Sequence, residues 1–360
     1  MKNIRLKSAL VFIITILILV FLLKDNFSLI VKEICDINIW FFIICLVLYA
    51  LYFLVDSLVL FILTKTYKKD IKIKKILKMG IETKFFNGIT PLASGGQPWQ
   101  VYKLGKENIK YVDGASIVSQ NYLLFQIAMM IITTVCLVVS KCTNIFHESY
   151  LIDKITLIGF VINFFMLAFL LFIGLTKRTN YRVIGFFVRI LAKLRIIKDY
   201  DTSIKRWEKR CSTYRDNTIK LLKNKKMFLI GTFLYLISTS IYYVIPYFVF
   251  LSFGISNVSF FAIFVAGALI FIAGCCMPLP GASGGMEYAY FGYFTYFLAN
   301  DSLLFSTLII WRLVTFYLPT VIGGIFFLGK EKKVKVWFYF TFFFIFFLIF
   351  RLVLCLVISI

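Results

Sequence analysis

The chain has 360 residues, 61% hydrophobic and 19% aromatic, with 40 Lys and Arg against 17 Asp and Glu for a net charge of +23. A soluble domain is about 45–50% apolar, so this excess excludes an ordinary globular enzyme and points to helices in lipid. The basic charge clusters between long apolar runs, as loops do beside anionic headgroups, so no nucleic-acid partner is expected.

The amino-terminal Lys2, Arg5 and Lys7 precede an apolar run as in a signal peptide. No small-residue cleavage site follows before Lys24, and the run is read as a first span with its N-terminus in the cytoplasm. With about 20 apolar residues needed per crossing, full spans are expected at Ser8–Leu23, Ile37–Leu63, Gly114–Ser140, Ile155–Thr176, Met227–Phe253, Leu303–Leu328 and Val336–Ile358. Lys65, Lys68, Lys69, Lys72, Lys74, Lys75 and Lys78 put the loop after the second span in the cytoplasm. The basic segment 177–226 falls on the same side and separates a first half, 1–176, from a second, 227–360. Within it Ile204, Trp207, Cys211, Tyr214 and Leu221 recur at helical spacing, with Asp201 or Thr202 as N-cap. That pattern predicts an amphipathic helix in the inner interface.

Eight cysteines form no CxxC pair, and Cys45, Cys136, Cys275 and Cys355 sit in apolar runs, where cysteine acts as a small hydrophobe. The single histidine, His147, rules out a His-based metal centre or Ser-His relay, so neither metal nor cofactor is expected.

Two apolar regions, Gly80–Leu104 and Ser259–Ala299, are interrupted. Pro91-Leu92-Ala93-Ser94-Gly95-Gly96 in the first reappears as Pro280-Gly281-Ala282-Ser283-Gly284-Gly285 in the second. Proline removes a donor and glycine frees the backbone, so each string breaks a helix. Unpaired peptide groups cannot face hydrocarbon; such a break is buried in protein or lines a wet cavity. The first hairpin enters from the Lys-rich side and the second from the uncharged side near Ser256. The expected fold is an all-α polytopic bundle, about seven full spans plus two re-entrant broken hairpins in an inverted repeat. Two kinks that merely let helices pack closely are the plainer alternative.

Charged groups inside a span are costly and are functional candidates. Glu287 follows the second glycine pair, Gly284-Gly285, and Arg312 lies in the next span. A Glu287–Arg312 pair is expected, serving either as a headgroup site or as a structural ion pair. Around the first break Asn87, Thr90, Gly95, Gly96 and Gln97 are the softer equivalents, followed by Gln120 and Asn121 on the next span. Asp56 and Glu82 are candidate acids for ion coupling.

Phe86-Asn87-Gly88-Ile89-Thr90-Pro91-Leu92-Ala93-Ser94-Gly95-Gly96-Gln97-Pro98 with Val101-Tyr102-Lys103-Leu104 resembles the first signature of the lysylphosphatidylglycerol synthase transmembrane (flippase-like) family. Pro278-Leu279-Pro280-Gly281 through Gly284-Gly285-Met286-Glu287 resembles the second. Trp311-Arg312-Leu313-Val314-Thr315-Phe316-Tyr317-Leu318-Pro319, running into Gly323-Gly324, resembles the third. Many family members carry an acidic residue where Gln97 stands, so the charge there is missing from this chain. The resemblance implies a protein of the bacterial cytoplasmic membrane that moves an anionic or aminoacylated phospholipid, or a lipid-linked glycan, between leaflets. No Walker-type loop occurs, so ATP is not the direct drive. Two other readings follow from the same likeness. One is the membrane part of a phosphatidylglycerol lysyltransferase, although these 360 residues leave no room for aminoacyl chemistry and the chain alone is not expected to be an enzyme. The other is a scaffold presenting lipid to a separate transferase docked on the basic segment 181–226.

Overall fold

The computed structural model describes residues 32–146, 150–176, 200–275, 277, 279, 281–298 and 300–329. The expected spans Ser8–Leu23 and Val336–Ile358 lie outside the described residues, as do His147, Pro278 and Pro280. Every element among the described residues is helical. Helix α1 runs Ile39–Lys65, α2 Ile73–Ile89, α3 Gly96–Lys106, α4 Tyr111–Thr143, α5 Tyr150–Leu175 and α6 Tyr200–Lys223. Then come α7 Lys225–Ser252, α8 Phe260–Gly274, α9 Gly285–Phe294, α10 Asp301–Arg312, a π-helical turn Leu313–Tyr317 and α11 Leu318–Leu328. Helices α1, α4, α5, α7 and the run Asp301–Leu328 are long and apolar enough to cross a bilayer. They coincide within a few residues with the five expected spans that fall in the described region. The protein is a multi-pass helical membrane bundle.

Local chemistry sets the helix boundaries. The side chains of Asn38, Asn224, Ser259 and Asn300 accept a backbone N–H from the first turns of α1, α7, α8 and α10. Pro319 brings no N–H, and its ring would meet the Thr315 carbonyl in a regular helix. The chain widens instead into the π turn just after Arg312.

The element order repeats. One long helix, one broken hairpin and one long helix (α1, α2–α3, α4) are followed later by the same series (α7, α8–α9, α10–α11). The two breaks share the backbone of their first turn and differ at the glycine before the returning arm, where φ is −77° at Gly95 and 85° at Gly284. Leu92 and Ala93 have φ of 54° and 51°, and their counterparts Gly281 and Ala282 have 66° and 53°. In each break the alanine N–H returns to the carbonyl three residues back, Ala93 to Thr90 at 3.2 Å and Ala282 to Leu279 at 3.0 Å. In each the returning arm begins at the second glycine of the pair. Those arms have 11 and 10 residues, about 15 Å at helical rise, which carries each tip to about half the depth of a 30 Å hydrocarbon core.

The copies run in opposite directions. The Asn38 N–H at the start of α1 donates to the Ser252 carbonyl at the end of α7 at 2.7 Å, so these two helices are antiparallel. Hairpin α2–α3 therefore opens at the end of the bundle that holds Lys65 and Tyr111. Hairpin α8–α9 opens at the end that holds Ser252 and Asp301. Packing is crosswise: α2 lies on α11 of the other copy, and α8 lies on α4 and α5. A Cβ at Gly323 would stand 2.5 Å from the Ile81 carbonyl, so α2 and α11 meet backbone to backbone. Helix α8 is buried nearly all round, by Ile263, Ala266, Ile270 and Ala273 among others, and forms the axis of the core.

The basic helix α6 is fixed more firmly than an interfacial helix needs to be. Asn217, Thr218 and Leu221 are buried against the bundle. The Gln120 amide donates to the Asn217 carbonyl at 2.8 Å, and the Asn217 amide donates to Ser116 Oγ at 3.0 Å. The expected apolar residues Ile204, Trp207 and Cys211, and the caps Asp201 and Thr202, lie outside the described side chains.

Candidate functional site

The second break is built around one buried cation. Arg312 ends α10 and is 4% exposed. Its Nη2 lies 2.7 Å from Glu287 Oε1, and its Nη1 donates to the Gly281 carbonyl at 3.1 Å. Glu287 in turn accepts the Gly284 N–H on Oε2 at 2.6 Å, a carboxylate cap on the first turn of α9. The guanidinium also lies over the rings of Trp311 and Phe316, at 5.5 and 5.6 Å. Glycine is required at 281, because φ is left-handed there and a Cβ would strike the Phe316 ring. The expected residues Gly284, Gly285, Glu287 and Arg312 thus come together. Arg312 Nε remains buried without a hydrogen-bond partner.

The first break is quieter. Thr90 Oγ1 donates to the Phe86 carbonyl at 2.6 Å and accepts the Gly95 N–H at 2.8 Å, closing the turn. Gly95 and Gly96 sit directly against Thr90 and Asn87, with no room for a side chain. Asn87 Oδ1 is buried and unpartnered, while Gln97 is exposed at the start of α3. The tip itself, Pro91 to Ser94, is exposed. At half depth such backbone is tolerated only beside protein or water.

Two further ion pairs connect with these breaks. Glu82 of α2 is fully buried. Its Oε2 meets Lys103 Nζ of α3 at 2.5 Å and accepts the Trp99 indole N–H at 3.1 Å. Trp99 stacks on Phe86 at 4.4 Å and meets Phe327 of α11 edge-on, which locks the hairpin to the other copy. Asp56 of α1 pairs with Lys84 of α2 at 3.4 Å and accepts the Tyr235 hydroxyl of α7 at 2.9 Å. Asn121 approaches the same Tyr235 hydroxyl. Lys84 lies over the Tyr52 ring at 4.9 Å, and Tyr52 meets Tyr242 at 5.2 Å. Tyr242 is within electrostatic reach of both Lys84 and Arg312. A seam of lysine, tyrosines and arginine thus links the first hairpin to the second break through the antiparallel pair α1–α7.

The family model for the lysylphosphatidylglycerol synthase TM region matches residues 7–323. The chain belongs to that family. Comparison with curated proteins gives no match. Membership in the lysylphosphatidylglycerol synthase TM family makes this a multi-pass membrane protein related to lysylphosphatidylglycerol synthesis. The first two strings singled out above lie within the matched residues, and so does the third up to Gly323.

Not every expected site residue joins the seam. Gln120 is spent on Asn217, at the junction with α6. Lys84, Lys103, Trp99 and Tyr235 escaped the sequence reading. Lys84 and Lys103 lie in the interrupted apolar region Gly80–Leu104, inside helices of the hairpin, and both point at acids. The available signal was Glu82 alone: an acid inside an apolar hairpin calls for a cation nearby, without saying which lysine supplies it.

Proposed function

We propose that this protein translocates an anionic or aminoacylated phospholipid between leaflets of the bacterial cytoplasmic membrane. The headgroup crosses along the seam from Lys84 to Arg312 while the acyl chains stay in lipid. The observation that carries the reading is Arg312: a guanidinium at mid-span with one N–H buried and unpartnered, facing a backbone break. A buried ion pair is a poor way to gain stability, because desolvation offsets most of its attraction. A phosphate competing with Glu287 for the guanidinium would use that poised cation, and arginine suits phosphate better than lysine does. Asn87, Thr90, Gly95, Gly96 and Gln97 form the matching neutral surface on the other copy, with Asn121 beside Tyr235. Asp56 and Glu82, each paired with a lysine, are the acids through which an ion gradient would couple.

The test is reconstitution into liposomes with a fluorescent anionic lipid and a membrane-impermeant quencher. Translocation above the rate of empty vesicles is expected. Equality with empty vesicles across several headgroups would defeat the proposal.

A further inference from the structure

At the open mouth of the first hairpin, between the start of α2 and the end of α3, lies a cavity of about 240 Å³ lined by Lys75, Lys78, Lys103, Lys106, Glu107 and the apolar Ile76, Met79 and Leu104. Four ammonium groups face only two carboxylates here, Glu107 in the rim and Glu82 beneath it. Glu107 is taken by Lys75 at 2.5 Å, and its backbone carbonyl by Lys68 at 2.8 Å. Lys106 leans over the Tyr102 ring at 5.4 Å. Lys103 belongs to both layers: it lines the cavity, yet its Nζ reaches down to Glu82. Glu82 Oε1, wholly buried, has no hydrogen-bond partner.

We infer that this cavity is a second, separate binding site for an anionic phosphodiester headgroup of a bilayer lipid. The inference rests on the translocator reading only for the lipid's later path, not for the site itself. Phosphate chemistry follows from the surplus of lysines, which bind phosphate as compact point charges. A headgroup donor, hydroxyl or ammonium, would satisfy Glu82 Oε1, and the entering phosphate would take Lys103 from Glu82. The source is a bilayer lipid because of position. The mouth is bounded by Lys65, where the spanning helix α1 ends, and by Tyr111, where α4 begins, so it lies at headgroup depth. Its apolar floor of Ile76, Met79 and Leu104 suits the first carbons of an acyl ester.

Phosphatidylglycerol carrying a photoreactive headgroup, incorporated with the full chain in nanodiscs and mapped by peptide sequencing, tests the site. Labels are expected on the peptides around Lys78 and Lys106. Near a charged membrane each lysine contributes about a factor of five, so K78A/K106A should lower labelling there roughly 25-fold and K78E/K106E further. These lysines are exposed, so the variants should keep the wild-type unfolding midpoint. A hundredfold excess of soluble glycerol phosphate should leave labelling intact; displacement would overturn the assignment to a bilayer lipid. Labelling unchanged in both variants, or equal with a phosphatidylcholine probe, would overturn the site. R312M should still label the mouth while losing translocation, so the two proposals fail separately.

Discussion

The two members of the Glu287–Arg312 pair should not be equally costly to lose. In E287Q the new amide still accepts the Gly284 N–H, so the cap on α9 survives and only the charge is removed. Arg312, 4% exposed, is then a buried cation held by one carbonyl and two aromatic faces. Breaking a buried pair this way costs about 3 kcal/mol. In R312M the stranded partner is Glu287, whose side chain is 22% exposed and keeps its bond at a helix N-terminus. That cost should be nearer 1–2 kcal/mol. The double variant removes both charges and replaces them with groups of similar volume, so it should sit within about 1 kcal/mol of wild type. Reversible unfolding in mixed detergent and dodecyl sulfate micelles measures all four proteins. Strict additivity, or an R312M more damaging than E287Q, would refute the geometry argued here.

G281A and G284A should differ although both positions have left-handed φ. The added Cβ at 281 strikes Phe316, whereas at 284 it meets nothing within 4 Å and the cost is backbone strain at φ 85°, ψ −52°, so losses of about 3 and about 2 kcal/mol are expected in the same micelle assay. L92G places in the first break the residue found at the matching position of the second. The Leu92 side chain is largely exposed and its φ is 54°, so stability should change by less than about 1 kcal/mol. Q120L removes the donor that holds Asn217 and should cost about 1–2 kcal/mol. Trypsin should then cut faster in α6, while a Q120L no more sensitive than wild type would mean that α6 is held by other contacts.

Much of this architecture could be read from the chain. Bulk apolarity and the spacing of basic loops locate the five described crossings, since a bilayer fixes helix length. The repeated P-x-A-S-G-G locates both breaks, because proline and glycine act on their own backbone and need no partner. Glu287 and Arg312 could be paired because charges in a span must find one another. The residues that were missed depend on tertiary placement. Lys84 and Lys103 carry the same side chain as the loop lysines, and only the fold of the hairpin turns them onto Asp56 and Glu82. Gln120 shows the reverse: an amide mid-span looks available, but α6 packs back against α4 and uses it.

The most direct test of the account is translocation by variants matched for stability. Wild type, R312M and Q120L, each expected to lie within about 2 kcal/mol of one another, would be reconstituted at equal density and assayed with the same fluorescent anionic lipid. Loss of translocation in R312M to the empty-vesicle rate, with Q120L retained near wild type, is the predicted result. An R312M that moves lipid as fast as wild type would contradict it.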